Sequence, residues 1–390
     1  MTLFDIERWC EKMIQSRAEQ SRAEQSRAEQ SRAEQSRAEQ SRGSNYNVVD
    51  LCKWVMAIFV VALHAHPFAD ISADWDYYTS GVLTRLAVPY FFVASGFFLF
   101  SKMPVGEISR EKIRRYCIRL GKMLVAWTAV YLPIAAYDVW HSADHMHKLL
   151  VVARNTVFQG ALMYHLWYLY ASIVAVATIY FLFSKGLKLK WVIVLSLALH
   201  IIVVLAYSYH GLYIKYFAEM WIVEVLVAFF AKFFIPVNGW TAGLLYMSVG
   251  IFCAWHRRSY PISVICILLL LCAIAFGIES YFIREYSLIN EADKGNIASY
   301  IMLLLVSFLF LLSINLKLED NVIYKHLREQ SLFIYLMHPW FLFLGTGLSK
   351  KVLHMADYHM AVFLWTVACS IIASEFLRKI CRYRRFSWLG

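Results

Sequence analysis

Runs of about 17 to 25 mostly apolar residues recur along nearly the whole of this 390-residue sequence, and they leave the chain few ways to fold. Each run is long enough to cross the hydrocarbon core of a bilayer as a helix, and its hydrophobicity is continuous rather than alternating, so no closed-barrel pattern competes. With 60% hydrophobic and only 17% charged residues, the chain is far more apolar than a soluble domain needs for its core. The fold expected is all-α: a polytopic integral membrane protein.

Ten spans are expected, near 48–66, 80–100, 118–137, 162–183, 191–207, 240–255, 261–278, 297–315, 330–348 and 359–377. The apolar stretch 217–235 could be an eleventh, but it contains Glu219, Glu224 and Lys232. Lysine and arginine bias separates the two topologies. Ten spans with both termini cytoplasmic place 28 of these cations inside and 8 outside, whereas an eleventh span gives 23 and 13. The positive-inside rule favours ten. Residues 217–239 are then expected to be an external re-entrant or interfacial segment, as is tolerated where backbone lines a cavity.

The net charge of +11 does not imply nucleic acid, because the cations lie between spans instead of on one exposed basic domain. Eight cysteines contain no C-x-x-C pair and behave as small apolar residues, so neither a disulfide framework nor a zinc site is expected. His141, His145 and His147 have only Asp138 and Asp144 nearby, and no metal site is expected there either. Residues 1–47 read as a cytoplasmic tail without a cleavable signal peptide. Five tandem SRAEQ units occupy Ser16 to Gln40, with Glu three residues before each following Arg, as suits a solvated helix or a disordered spacer. Leu3, Phe4, Ile6, Trp9, Cys10, Met13 and Ile14 ahead of it suit a short amphipathic helix on the membrane. Residues 48–378 form the membrane domain, and 379–390 a basic cytoplasmic tail.

The first span reads KWVMAIFVVALHAHPF over residues 53–68. Eleven positions separate Lys53 from His64, which returns to within about 20° of the same helix face after a rise of about 16 Å. One stripe therefore carries Asp50, Lys53 and His64. Asp50 and Lys53, spaced i,i+3, can also neutralise each other. The second span enters through TRLAVPYFFVASGFFLF, with Arg85 at about the depth of His64 and Ser95-Gly96 suited to close helix approach. MYHLWYLY sets His165 at the external mouth, where Trp167 and Tyr168 alone would read as an interfacial belt. SLFIYLMHPW places Tyr335 and His338 near mid-depth. Three histidines and an arginine on four helices in the outer half of the membrane suggest the lining of a polar cavity. On the opposite side, REKIRRYCIRLGK supplies Arg114, Arg115 and Arg119, a cluster that suits anionic lipid or the phosphates of a substrate.

VVDLCKWVMAIFVVALHAHPF, RLAVPYFFVASGFFLF, YHLWYLY and SLFIYLMHPW, in this order, resemble the acyltransferase-3 family of integral-membrane O-acyltransferases over residues 48 to about 378. The resemblance implies about ten spans and transfer of an acyl group, often acetyl from acetyl-CoA, to hydroxyls of cell-envelope or exported carbohydrate. It places the protein in the plasma membrane, in bacteria the inner membrane. The family's signature is an arginine and a histidine in the first span with ten residues between them. Lys53 stands in the arginine's place and His64 in the histidine's, and a lysine keeps the charge but not the planar bidentate contact. The family also includes chains fused to a second catalytic domain, which is not expected here.

The chemistry implied makes His64 a general base, with an acyl-histidine as the other possibility, and Arg85 an oxyanion stabiliser. Lys53, Arg114, Arg115 and Arg119 would hold acyl-CoA. His165, Trp167, Tyr335 and His338 would bind the carbohydrate acceptor. Two other classes share the apolar, basic character: an exporter of a small anionic or glycan-linked substrate, and a membrane scaffold using the SRAEQ tail. Truncation of residues 1–45 is expected to leave membrane integration and any transfer activity intact, measured on carbonate-washed membranes; a scaffold would lose its partner instead.

Overall fold

The computed structural model describes residues 46–160, 162–217, 219–225, 240–256, 260–286, 288, 295–296, 298–355 and 357–381. The chain divides into two units, Met1–Tyr46 and Asn47–Gly390, and all helices below belong to the second. The SRAEQ block, the short amphipathic stretch before it, most of 217–239 and the tail beyond 381 lie outside the described residues.

Short polar side chains begin several helices by accepting from backbone N–H groups that have no carbonyl four residues back. Ser109, Asp144, Ser299 and Asn321 each do so. Along the chain run α1 (Asn47–Ala65), α2 (Ala73–Phe100), α3 (Arg110–Trp140), α4 (His145–Gln159), α5 (Trp167–Ser184) and α6 (Leu189–Ala206). Then come α7 (Trp240–Trp255), α8 (Ile262–Glu285), α9 (Tyr300–Asn315), α10 (Val322–Gly347) and α11 (His359–Cys381). Among the described residues all regular structure is helical.

Each of the ten expected spans contains a helix, and among the described residues eight helices are long and apolar enough to cross a membrane. The other two, α7 and α9, have 16 residues each. At 1.5 Å per residue they reach about 24 Å, short of a hydrocarbon core of about 30 Å. Helices also outrun the apolar stretches that predict them. α2 starts at Ala73 instead of 80 and passes through a π turn (Tyr77–Val82) and a 3₁₀ turn (Leu83–Leu86). α3 continues the helix back through the basic stretch to Arg110. The expected 162–183 begins as helix only at Trp167. Polar residues conceal the first two extensions from a hydropathy reading.

α1 packs against α2 and α10, α10 against α11, and α7 against α2, α5 and α6. α8 pairs with α9 and otherwise turns outward: Ile267, Leu270, Leu271 and Ile274 are all exposed. An apolar face of that extent suits lipid and not water. The α2–α7 contact is at backbone distance. A Cβ on Gly250 would lie 2.1 Å from the Val93 carbonyl oxygen, and one on Gly96 would lie 2.3 Å from that of Met247. Only glycine permits this approach.

Asn47 closes the start of α1 onto the α9–α10 connection, donating to the carbonyls of Leu318 (3.2 Å) and Glu319 (3.1 Å) and to Asp320 Oδ1 (3.1 Å). At the other end His359 Nδ1 donates to the Ala65 carbonyl at 2.9 Å. His141 and His145, weighed above as metal ligands, each donate Nδ1 to a carbonyl of the last turns of α3, Tyr137 and Val139, at 2.9 Å. They finish a helix. Gly250→Ala or Gly96→Ala is expected to cost about 1–3 kcal/mol or more by overpacking. Gly121→Ala, with nothing within 4 Å of the added carbon, should be neutral or stabilising; melting of the detergent-solubilised protein checks both.

Candidate active site

His64, on the last turn of α1, meets two other chain segments through its ring. Tyr164, in the turn before α5, has its ring centroid 4.3 Å away, and His338, on α10, is stacked at 5.5 Å with only 11° between planes. His165 joins from the same turn, 5.3 Å from His338 and 5.5 Å from Tyr335. Three histidines thus gather from three segments. A carbonyl oxygen can only accept, so His338 Nδ1 carries the proton that it donates to the Tyr335 carbonyl at 2.7 Å. In the neutral ring this leaves Nε2 with a free lone pair, and that atom has no partner among the described residues.

A cavity of about 220 Å³ opens beside this cluster. His64, Arg85, His165, Trp167 and Tyr335 all line it. Arg85 reaches it from the 3₁₀ turn of α2, where the helix tightens before Ala87.

A second cavity, of about 390 Å³, lies toward the Lys53 end of the same helices. Lys53, Arg119 and Arg328 supply positive charge, against Glu329, and Phe91, Tyr116, Leu120, Met123 and Leu169 supply apolar wall. The Lys53 ammonium lies 4.4 Å from the centroid of Phe98, a cation–π contact. Arg328, near the start of α10, is 3.3 Å from the Asp50 carboxylate on α1. Asp50 therefore has a partner other than the i,i+3 lysine, which is left facing the cavity.

Tyr168 and Tyr335 line both cavities. Their rings meet edge to face at 5.8 Å. Hydrogen bonds hold them: the Tyr168 hydroxyl with Ser95 Oγ at 2.9 Å, and the Tyr335 hydroxyl donating to the His165 carbonyl. The expected line of side chains from Lys53 to His64 is thus divided by a wall of two tyrosines.

Residues 46–389 match the family model described as an acyltransferase domain, Acyl_transf_3. The chain belongs to this acyltransferase-3 family. Among curated proteins it is 24% identical over 356 residues to an "Amino-acid racemase" of Enterococcus faecalis, covering 87% of this chain and 47% of that one. A "Serine/alanine racemase" of Enterococcus gallinarum is 25% identical over 312 residues, 78% of this chain and 42% of that one. The chain therefore spans less than half the length of these relatives. No solved structure matches it.

Several positions differ from their expected places in this acyltransferase-3 domain. His165, expected at the external mouth, is buried at 2% exposure, with the Tyr131 ring 5.0 Å away. Trp167 and Tyr168 line the His64 cavity. Arg114 and Arg115 do not line the Lys53 cavity; both are exposed, and Arg115 pairs with Glu111 at 2.7 Å. Arg119, one helical turn further, does line it. Arg328, Tyr116 and His200 line the two cavities without having been singled out. Of these Arg328 had a signal, as a cation beside an apolar run. Arg328→Gln is expected to destabilise by about 1–3 kcal/mol, since Asp50 is buried while Arg328 is half exposed. Asp50→Asn should recover most of that loss in the double variant, measured by thermal unfolding.

Proposed function

We propose that the protein moves an acyl group, acetyl in the simplest case, from acyl-CoA in the cytoplasm to a hydroxyl of a cell-envelope or exported carbohydrate. Membership of the acyltransferase-3 family supports acyl transfer, and the family model spans nearly the whole chain. The racemase names belong to proteins more than half of whose length lies outside the match. The observation that carries the reading is the pair of abutting cavities, cationic on the Lys53 side and histidine-lined on the His64 side. The positive-inside bias supports a plasma-membrane orientation with the Lys53 end toward the cytoplasm.

In this reading the donor's phosphates pair with Lys53, Arg119 and Arg328, with the apolar wall receiving the pantetheine arm. The thioester reaches the His64 cavity by displacing the Tyr168–Tyr335 wall. A carbohydrate hydroxyl is a weak nucleophile, and His64 as general base takes its proton while the oxygen attacks the carbonyl carbon. The new C–O bond forms, the C–S bond breaks, and the proton passes from His64 to the departing thiolate. Arg85 faces the same cavity and offers its guanidinium to the oxyanion that develops between these steps. His338, stacked on His64 and fixed through Nδ1, holds the base in place. His165, Trp167 and Tyr335 form the surrounding wall.

Membranes incubated with labelled acetyl-CoA are expected to transfer label to envelope glycan. His64→Ala should lower that rate by about 10² to 10⁴ with insertion unchanged, and Lys53→Ala should raise the KM for the donor. Retained turnover in His64→Ala, or substrate flux without acyl-CoA consumption, defeats the reading.

A further inference from the structure

The wall that α6 and α7 give to the His64 cavity carries polar groups that the proposed reaction does not use. His200 lies in the apolar stretch LSLALHIIVVLA of α6 and is 1% exposed. Neither of its ring nitrogens has a hydrogen-bond partner among the described residues. Tyr246, on α7, is also 1% exposed, and its hydroxyl is equally without a partner. The two rings meet edge to face at 6.2 Å, and both residues line the cavity beside Val203 and Ala242.

Two unpartnered polar side chains on neighbouring apolar helices are an expensive arrangement in a membrane domain. Helix α6 satisfies its other interior polar residue locally, with Ser196 Oγ donating to the Val192 carbonyl at 2.6 Å. His338 likewise returns its Nδ1 to a carbonyl of its own helix, but His200 and Tyr246 do neither, and a buried polar group left without a partner calls for an explanation. The cavity they share with His64 supplies one. A neutral imidazole has one donor and one acceptor, and a phenol can do both, which matches hydroxyl groups that also donate and accept. This part of the wall is uncharged, which disfavours a carboxylate or phosphate as its ligand.

We propose that His200 and Tyr246 form the acceptor-recognition wall of the cavity, hydrogen-bonding hydroxyls of a polyhydroxylated ring other than the one presented to His64. The inference rests on the acyl-transfer reading for the ligand's role, but the binding it asserts can be measured without turnover.

The purified full-length protein in detergent is titrated with the methyl glycosides of glucose, galactose and N-acetylglucosamine, and thermal unfolding is recorded. At least one glycoside is expected to raise the melting temperature of the wild type. His200→Phe and Tyr246→Phe should abolish that rise while melting normally without sugar, and His200→Gln should keep part of it. If no glycoside stabilises the wild type, or both Phe variants keep the full shift, the inference falls. In parallel, transfer from labelled acetyl-CoA to the stabilising glycoside should show an acceptor KM at least tenfold higher in each Phe variant, with donor KM unchanged. A wild type that binds the glycoside through His200 and Tyr246 yet consumes no acetyl-CoA would remove the acyl-transfer reading and leave this wall standing.

Discussion

A bilayer core offers no water with which to complete a hydrogen bond, and this one constraint orders the rest of the molecule. Backbone groups meet it by forming helices throughout the described residues. Serines and threonines meet it by donating to a carbonyl of their own preceding turn, as Thr84, Ser248, Ser280 and Ser307 do. Longer polar side chains need partners on other helices: Tyr90 finds Ser313, Tyr131 the Leu336 carbonyl, and Asp50 Arg328. Among the polar groups left over after this satisfaction, four stand around the His64 cavity, at His165, His200, Tyr246 and His338. Chemistry is located by where protein alone fails to supply a partner.

Glycine makes that location possible. The backbone-distance approach of α2 and α7 at Gly96 and Gly250 draws together the helices that carry Arg85 and Tyr246. At the His64 end, the π and 3₁₀ turns of α2 interrupt the regular helix just before the residues that face the cavity. Arg85 enters the cavity from such a departure, while His64, His200, Tyr246 and Tyr335 reach it from regular α-helix.

Architecture was legible because span length and hydrophobic continuity are local properties, and all ten apolar stretches form helices. His64 and Arg85 were legible for a related reason: a titratable group inside an apolar run is conspicuous wherever it points. Arg328 was less so, because its partner Asp50 lies 278 residues away and its own segment, YKHLREQ, reads as an ordinary polar helix start. His200 was passed over because one histidine among leucines and valines carries no sign of which cavity it borders. Arg114 and Arg115 show the complementary case. Cation density along the sequence does not reveal which turn of a helix borders a cavity, and here Arg119, exposed like them, lines it while they do not.

The two-tyrosine wall has an electrical consequence. In an energised membrane the voltage falls most steeply across the least polarisable layer, and the rings of Tyr168 and Tyr335 stand between the two cavities. A charged group crossing the whole potential does work of about 2.3 kcal/mol per elementary charge for every 100 mV. An uncharged group does none. In the proposed reaction the arm that crosses this wall would be uncharged, and its passage would not depend on the membrane potential.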